Sequence, residues 1–281
     1  MNKLTMLDYV KETPGVLRTN IEQYTTLVDP LMKEVQQKEI KRILLVASGS
    51  SHNACYCARS FVEKVSGLEV RIITPYTFAY YENDIKENDL VLVVTQSGLS
   101  TNAIEALKII KKKECKAICL TGNKNSDVKD VADVVIEYGV GEELVGYVTK
   151  GVSSLALFLD LFAIAYSGKT EYLDELKKAA DLNEEMIDQA TNFIQRHYKN
   201  FTSMSWVYSC GAGANYGTAL ESALKMGETI HIPSCCYEIE EYIHGPNLQL
   251  TPQYNVIFFD GNDGASRRVE QVYKATRKVS N

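Results

Sequence analysis

Leu90-Val91-Leu92-Val93-Val94-Thr95-Gln96-Ser97-Gly98-Leu99-Ser100-Thr101 decides the fold. The run from Leu90 to Thr95 is apolar and β-branched without alternation, the pattern of a strand buried on both faces of a parallel sheet. It ends in hydroxyl and amide residues around one glycine. A helical pattern follows at once, with Ile104, Leu107 and Ile110 on one face. A strand that stops in small hydroxyl residues at a helix N-terminus makes a ready anion site. Backbone N–H groups and the helix dipole attract negative charge, and the hydroxyls donate further hydrogen bonds. The loop holds no lysine, which excludes a Walker-type nucleotide loop; it suits a phosphate carried by a small molecule. Ser and Thr also cap helices where no ligand binds.

A second unit of the same kind lies upstream. The strand Arg42–Val46 runs into Ala47-Ser48-Gly49-Ser50-Ser51-His52, and a helix through Asn53, Ala54 and Ala58 follows. Two such units converge at the carboxyl edge of one parallel sheet, where ligands of open α/β sheets bind. Around them the pattern alternates. Strands are expected near 42–47, 69–74, 90–95, 116–120 and 134–138, and helices near 52–65, 77–83, 101–113 and 149–167, the signature of a parallel α/β sheet. Residues 7–39 read as helical, with Leu17, Ile21, Tyr24, Leu27, Leu31 and Val35 recurring and Pro14 expected to interrupt early. Residues 170–199 read as a long amphipathic helical region.

Length and repetition suggest two domains, at roughly 150 residues each: 1–168, an N-terminal helix plus a first α/β domain, and 169–281, a second. Ser205-Trp206-Val207-Tyr208-Ser209 reads as a strand leading into Cys210-Gly211-Ala212-Gly213-Ala214-Asn215. Aligning Gly49 with Gly211 also aligns Asn53 with Asn215, which implies a repeat. After a strand at Val256–Asp260 and a helix through Val269, Val272 and Ala275, the sequence ends at Asn281, where another strand is due. The expected fold class is therefore α/β, two three-layer α-β-α domains with mainly parallel sheets, the second truncated at its C-terminus.

A net charge of −6 over 281 residues argues against a general nucleic-acid surface. It does not exclude an anionic ligand, since a nest of N–H groups needs no net positive charge. The N-terminus Met1-Asn2-Lys3-Leu4-Thr5 has no signal-peptide core. The seven cysteines are therefore read as reduced and the protein as cytoplasmic. Cys55 and Cys57 point to different helix faces, and Cys235-Cys236 lacks a second Cys/His pair at zinc spacing, so neither metal nor cofactor is expected. The apolar run Leu155–Ala165 is too short to span a bilayer and contains Asp160; it reads as a core helix, and no membrane partner is expected. The loop Ser48–Asn53 lacks G-x-G-x-x-G spacing, and no acidic residue follows at the right strand end, which excludes a dinucleotide-binding oxidoreductase.

Taken together, Lys11-Glu12-Thr13-Pro14, Leu17-Arg18-Thr19, Ser48-Gly49-Ser50-Ser51, Gln96-Ser97-Gly98, Thr149-Lys150, Ala223-Leu224-Lys225 and His244-Gly245-Pro246 resemble the SIS (sugar isomerase) family. The likeness is greatest to the isomerase half of the glutamine–fructose-6-phosphate aminotransferases, and it covers nearly the whole chain. It implies SIS-type domains, a hexose 6-phosphate or derivative as ligand, and a homodimer with shared active sites. There are departures. The sequence shows no glutaminase half with its cysteine nucleophile and no C-terminal segment with a Schiff-base lysine. Leu99 stands where the synthases carry Glu, and Val145-Gly146-Tyr147-Val148 differs from their version. These differences resemble stand-alone relatives, the amino-sugar-phosphate deaminases and fructosamine-6-phosphate-type deglycases.

Moving a carbonyl between C1 and C2 of a sugar requires a base that shuttles one proton, and help in opening the ring. The resemblance assigns the base to Glu228, ring opening to His244, and sugar-phosphate contacts to Ser50, Ser51, Thr95, Gln96, Ser97 and Ser100. Lys225 lies three residues before Glu228, on the same helix face. There it would keep the carboxylate ionised and steady a developing enolate oxygen; the same spacing also makes an ordinary surface pair worth ~0.3–0.5 kcal/mol. His244 has the near-neutral pKa that suits proton transfer to a ring oxygen, and it is equally a turn residue before Gly245-Pro246. Glu240 or Glu241 orients its imidazole, or both are solvated loop charges. Lys150 lies near the phosphate, or caps its own helix. The function expected is an aldose/ketose isomerase-type enzyme on an amino or fructosamine-type hexose 6-phosphate: deaminase, deglycase or isomerase. The alternative is a non-catalytic phosphosugar sensor, which has no need to keep Lys225, Glu228 and His244 together.

Overall fold

The computed structural model describes residues 4–36 and 38–280. The backbone forms two compact units, Met1–Ile187 and Asp188–Asn281. The first begins with helices α1 (Met6–Glu22) and α2 (Tyr24–Val35). Strands and helices then alternate: β1 (Arg42–Ala47), α3 (Gly49–Ser66), β2 (Glu69–Ile73), α4 (Pro75–Tyr80), β3 (Asp89–Thr95), α5 (Thr101–Lys112), β4 (Ile118–Thr121), β5 (Val134–Glu137) and α6 (Lys150–Ser167). Helix α7 (Leu173–Arg196) and the short α8 (Tyr198–Thr202) lead into β6 (Trp206–Gly211), α9 (Ala214–Lys225), β7 (Ser234–Glu238), α10 (Ile239–Ile243), β8 (Tyr254–Phe259) and α11 (Ser266–Thr276).

Pro14 does not interrupt α1. It is buried inside the helix, and the break falls at Gln23. A single backbone donor is lost, and the buried face of Tyr9, Leu17 and Ile21 holds the helix continuous across it.

The first sheet has strand order β2-β1-β3-β4-β5, and every pairing is parallel. Strand β3 lies between β1 and β4 and is buried along its whole length, as its unbroken apolar run requires. Alternate residues face opposite layers. Ile43, Leu45, Leu92 and Val94 pack toward α1, α2, α3 and α6. Leu44, Val46, Val91 and Val93 pack with residues of α4 and α5. At the amino edge, Arg42 grips Asp89 through Nε–Oδ1 (2.9 Å) and Nη2–Oδ2 (2.6 Å), with the carboxylate almost wholly buried. That fork fixes the register of β1 on β3 and brings Ala47 opposite Val94, so the two Ser/Gly loops leave the sheet side by side. Helix α6 alone among the described residues is long and apolar enough to cross a membrane by composition; 61% of it is buried within the protein, as a core helix should be.

The second unit repeats the opening of the first. Its parallel sheet runs β7-β6-β8, the arrangement of β2-β1-β3, with the first strand in the middle. Tyr208 and Cys210 face α10 and α11. Ser209, on the other face, bonds Ser222 of α9 at 3.0 Å. Strand β7 is absent from the sequence expectations, because Ser234–Glu238 is short and shows neither alternation nor an apolar run. The loop register also differs from the expected alignment. Gly49, two residues past β1, has φ +56°, and its counterpart two residues past β6 is Gly213, at φ +57°. Gly211 is glycine for another reason: a Cβ there would lie 2.1 Å from the Asn215 carbonyl oxygen.

Candidate functional site

Five parallel strands deliver all their carboxyl ends to one edge. The loops after β1 and β3 flank the point where strand order reverses, the usual ligand crevice of such sheets. After β1, Ser48 precedes α3, and Ser50 and Ser51 are buried in the first helical turn. After β3, Thr95 is buried, Gln96 is half-buried and Ser97 is exposed. Neither Ser48 nor Ser100 spends its hydroxyl as a helix cap. Ser48 Oγ accepts from Asn102 Nδ2 at 3.0 Å, and Ser100 Oγ accepts from Thr95 Oγ1 at 3.1 Å. Ser97 Oγ accepts from the Leu99 N–H at 3.2 Å, which leaves its own proton to donate. The structure thus gathers Thr95, Gln96, Ser97 and Ser100 on one loop, and the Asn102–Ser48 bond ties that loop to the one carrying Ser50 and Ser51.

Gly98 allows this turn. Its φ is +66°, and a Cβ would stand 1.7 Å from Ser126 Oγ. The Gln96 carbonyl is held from β4 by the Gly122 N–H (3.0 Å) and Thr121 Oγ1 (3.2 Å). The Gln96 side chain is engaged inside the protein at both ends. Its Oε1 accepts from the Tyr138 hydroxyl (3.0 Å), and its Nε2 donates to Glu143 (2.8 Å). Burial raises the Tyr138 phenol above its usual range, so that hydroxyl stays a donor. Glu143 also accepts the N–H groups of Thr149 (2.9 Å) and Lys150 (2.8 Å). It therefore caps α6, and the Lys150 side chain does not. Lys150 is 4% exposed and reaches back to Glu12 of α1 at 2.6 Å, over the Tyr9 ring. No sequence pattern marks Glu143, because its partners come from a distant strand end and from the backbone.

The second unit carries the expected acid–base residues. Lys225 ends α9, and its Nζ lies 2.7 Å from Glu228 and 3.2 Å from Glu221. All three side chains are at least two-thirds buried, where a shared cation is held more firmly than on an open surface. Glu228 stands in a turn of π-helix, Met226–Ile230, that closes at His231 with φ +60°. Single π turns inside helices are often found at functional sites; the reading of Lys225 and Glu228 on one helix face did not include this one. His244 is exposed at the end of α10, where its backbone N–H bonds the Glu241 carbonyl at 3.2 Å. No hydrogen bond links Glu240 or Glu241 to the imidazole. Glu240 is taken by Arg268, through Nε–Oε1 at 2.5 Å and Nη2–Oε2 at 3.1 Å. A planar guanidinium offers it two parallel bonds, and they hold its carboxyl below the usual range, with His244 adding a smaller electrostatic pull. Among the described residues no His, Cys, Asp or Glu cluster could hold a metal, and all seven cysteines are unbridged.

Residues 38–165, from just before β1 through most of α6, match the family profile described as SIS domain. A glutamine–fructose-6-phosphate aminotransferase (isomerizing) of Caldanaerobacter subterraneus subsp. tengcongensis is 28% identical over 217 residues, 74% of this chain and 36% of that protein. The chain thus spans little more than a third of that relative's length. Among solved structures, a candidate phosphosugar isomerase of Clostridium difficile 630 superposes with a TM-score of 0.87 at 26% identity, covering 99% of this chain and 80% of that one. The C-terminal domain of glucosamine-fructose-6-phosphate aminotransferase from Francisella tularensis gives 0.84 at 21% identity, covering 99% and 82%, a likeness of fold alone. By that profile, and by the sheet and switch-point loops it encloses, residues 38–165 of this chain form an SIS domain.

Proposed function

We propose that this protein is a phosphosugar isomerase-type enzyme acting on an amino or fructosamine-type hexose 6-phosphate. Two hydroxyl-lined helix N-termini at one reversal of strand order, tied by the Asn102–Ser48 bond, support this reading most directly. In it, Ser50, Ser51, Ser97 and Ser100 donate to the phosphate, Thr95 orients Ser100 by donating to its Oγ, and the first-turn N–H groups of α5 supply the positive end of a dipole. Gln96 contributes through its backbone and remaining amide proton, since its other side-chain groups are bonded internally.

His244 protonates the ring oxygen as the hemiacetal opens. Glu228 takes the proton from the carbon beside the carbonyl and returns it to the neighbouring carbon, so the base ends as it began. Lys225 pairs with that carboxylate at 2.7 Å, holds its orientation and lies ready for the enolate oxygen. The active form proposed is a homodimer in which His244 serves the neighbouring subunit's site. The Lys225–Glu228 pair, with its carboxylate in a π turn, favours catalysis over sensing.

Incubation with fructose 6-phosphate, glucosamine 6-phosphate and a fructosamine 6-phosphate, with assays for hexose phosphate interconversion and released amine, tests the reading. Turnover that is lost in Glu228→Gln is expected. Tight binding without turnover would leave a sensor, and no binding of any of the three would overturn the proposal.

A further inference from the structure

We infer that Glu143 is the positioning residue of the phosphate loop, acting through Gln96 and never touching the ligand itself. The inference rests on reading Thr95–Ser100 as a phosphosugar loop. Glu143 lies in the irregular segment between β5 and α6, yet three donors from two places meet on its carboxylate. These are Gln96 Nε2 from the loop after β3 and the N–H groups of Thr149 and Lys150 at the start of α6. Gln96 is thereby fixed at its nitrogen by Glu143 and at its oxygen by Tyr138. The fit is tight: a Cβ on Gly151, one residue into α6, would lie 1.7 Å from Gln96 Oε1.

The segment that presents Glu143 is itself fastened to α1. Asn20 Nδ2 donates to the Gly139 carbonyl (3.0 Å), Tyr9 Oη accepts the Leu144 N–H (3.0 Å), and Lys150 pairs with Glu12. The start of α6 and the loop after β3 are thus joined through one carboxylate, and α1 fastens the segment that carries it by separate bonds. That link has a chemical consequence. Of the helix N-termini at this edge, α6 meets the negative charge of Glu143, whereas neither Ser48 nor Ser100 caps α3 or α5 with its side chain, and α5 has only the neutral Asn102 amide oxygen on its Ala103 N–H (2.8 Å). Glu143 therefore both directs an anion away from α6 and holds the loop that receives it.

Hydrogen–deuterium exchange and calorimetry on the full chain separate this from simple capping. In Glu143→Ala the peptide covering residues 95–101 should exchange about tenfold faster without any ligand, the scale of one lost hydrogen bond to a charged group. Affinity for fructose 6-phosphate should fall about tenfold as well. Gln96→Met leaves the α6 cap in place, guards against a Glu143 variant that fails to fold, and should loosen the same peptide. The double variant should bind no more weakly than the weaker single. Faster exchange confined to residues 149–153, with 95–101 unchanged in both variants, would overturn the inference, as would additive losses in the double. If the wild-type chain binds no hexose phosphate while residues 95–101 still loosen, positioning by Glu143 stands and the phosphosugar reading falls.

Discussion

Asn102 donates to Ser48 across 3.0 Å, joining the first turn of α5 to the loop that opens α3. The bond spans the strand-order reversal, so the hydroxyls of both loops form one constellation. Ser97 is its exposed member, with a proton left to give. Ser97→Ala should weaken hexose 6-phosphate binding by ~1–3 kcal/mol, the cost of one hydrogen bond to a charged group. Calorimetry that finds the affinity unchanged would remove Ser97 from the site.

Glu228→Gln keeps the shape of the side chain and removes the base. Turnover should fall ~10²–10⁴-fold with little change in binding. His244→Asn should slow ring opening, most of all for a substrate locked as a pyranose. If His244 serves the neighbouring subunit, mixing the two inactive variants should restore part of the activity through hybrid dimers. Subunit exchange verified by mass, with no recovery, would argue against a shared site.

Gly98 meets both a steric and a conformational demand, with Ser126 Oγ pressed against it at positive φ. Gly98→Ala should lose about 2–4 kcal/mol of stability from overpacking and left-handed strain together. Adding Ser126→Gly should return the steric share and leave the strain. Urea unfolding of the two variants measures both parts.

Asp160 places an enclosed Oδ1 without a hydrogen-bond partner in α6, and burial raises its carboxyl well above the usual range. The folded state then keeps this proton to higher pH than the unfolded chain does. The stability is fully present below the ordinary carboxylate range and is lost as pH rises through the folded value. Asp160→Asn should melt near the wild type at about pH 4 and above it at about pH 8. Parallel pH profiles for the two proteins would assign the slope elsewhere.

Burial pushes the thiols of Cys119 and Cys210 up to about 12 and raises that of Cys55 as well, whereas Cys235 is exposed on β7. Iodoacetamide at neutral pH should label Cys235 in the native protein and reach the three buried thiols only after denaturation, as peptide mass analysis would show. Early labelling of Cys119 would contradict the packing of β4.

The amino-acid sequence by itself determined the α/β class, the strand and helix positions of the first unit, and the two Ser/Gly loops. Those features are written in neighbours: an unbroken β-branched run, helical spacing, and a glycine among hydroxyls. The Lys225–Glu228 contact belongs here too, since residues three apart on a helix must share a face. What the tertiary structure decided depends on residues far apart in the chain. The order β2-β1-β3 sets the two loops side by side, and the Arg42–Asp89 fork holds their register. Glu143 meets Gln96 from 47 residues away. The π turn at Glu228 and the true counterpart of Gly49 at Gly213 likewise emerged only in three dimensions. Local periodicity follows from backbone geometry within a few residues. Pairings over long separations are chosen by burial and hydrogen-bond satisfaction across the whole packed unit, and no short window of sequence contains both partners.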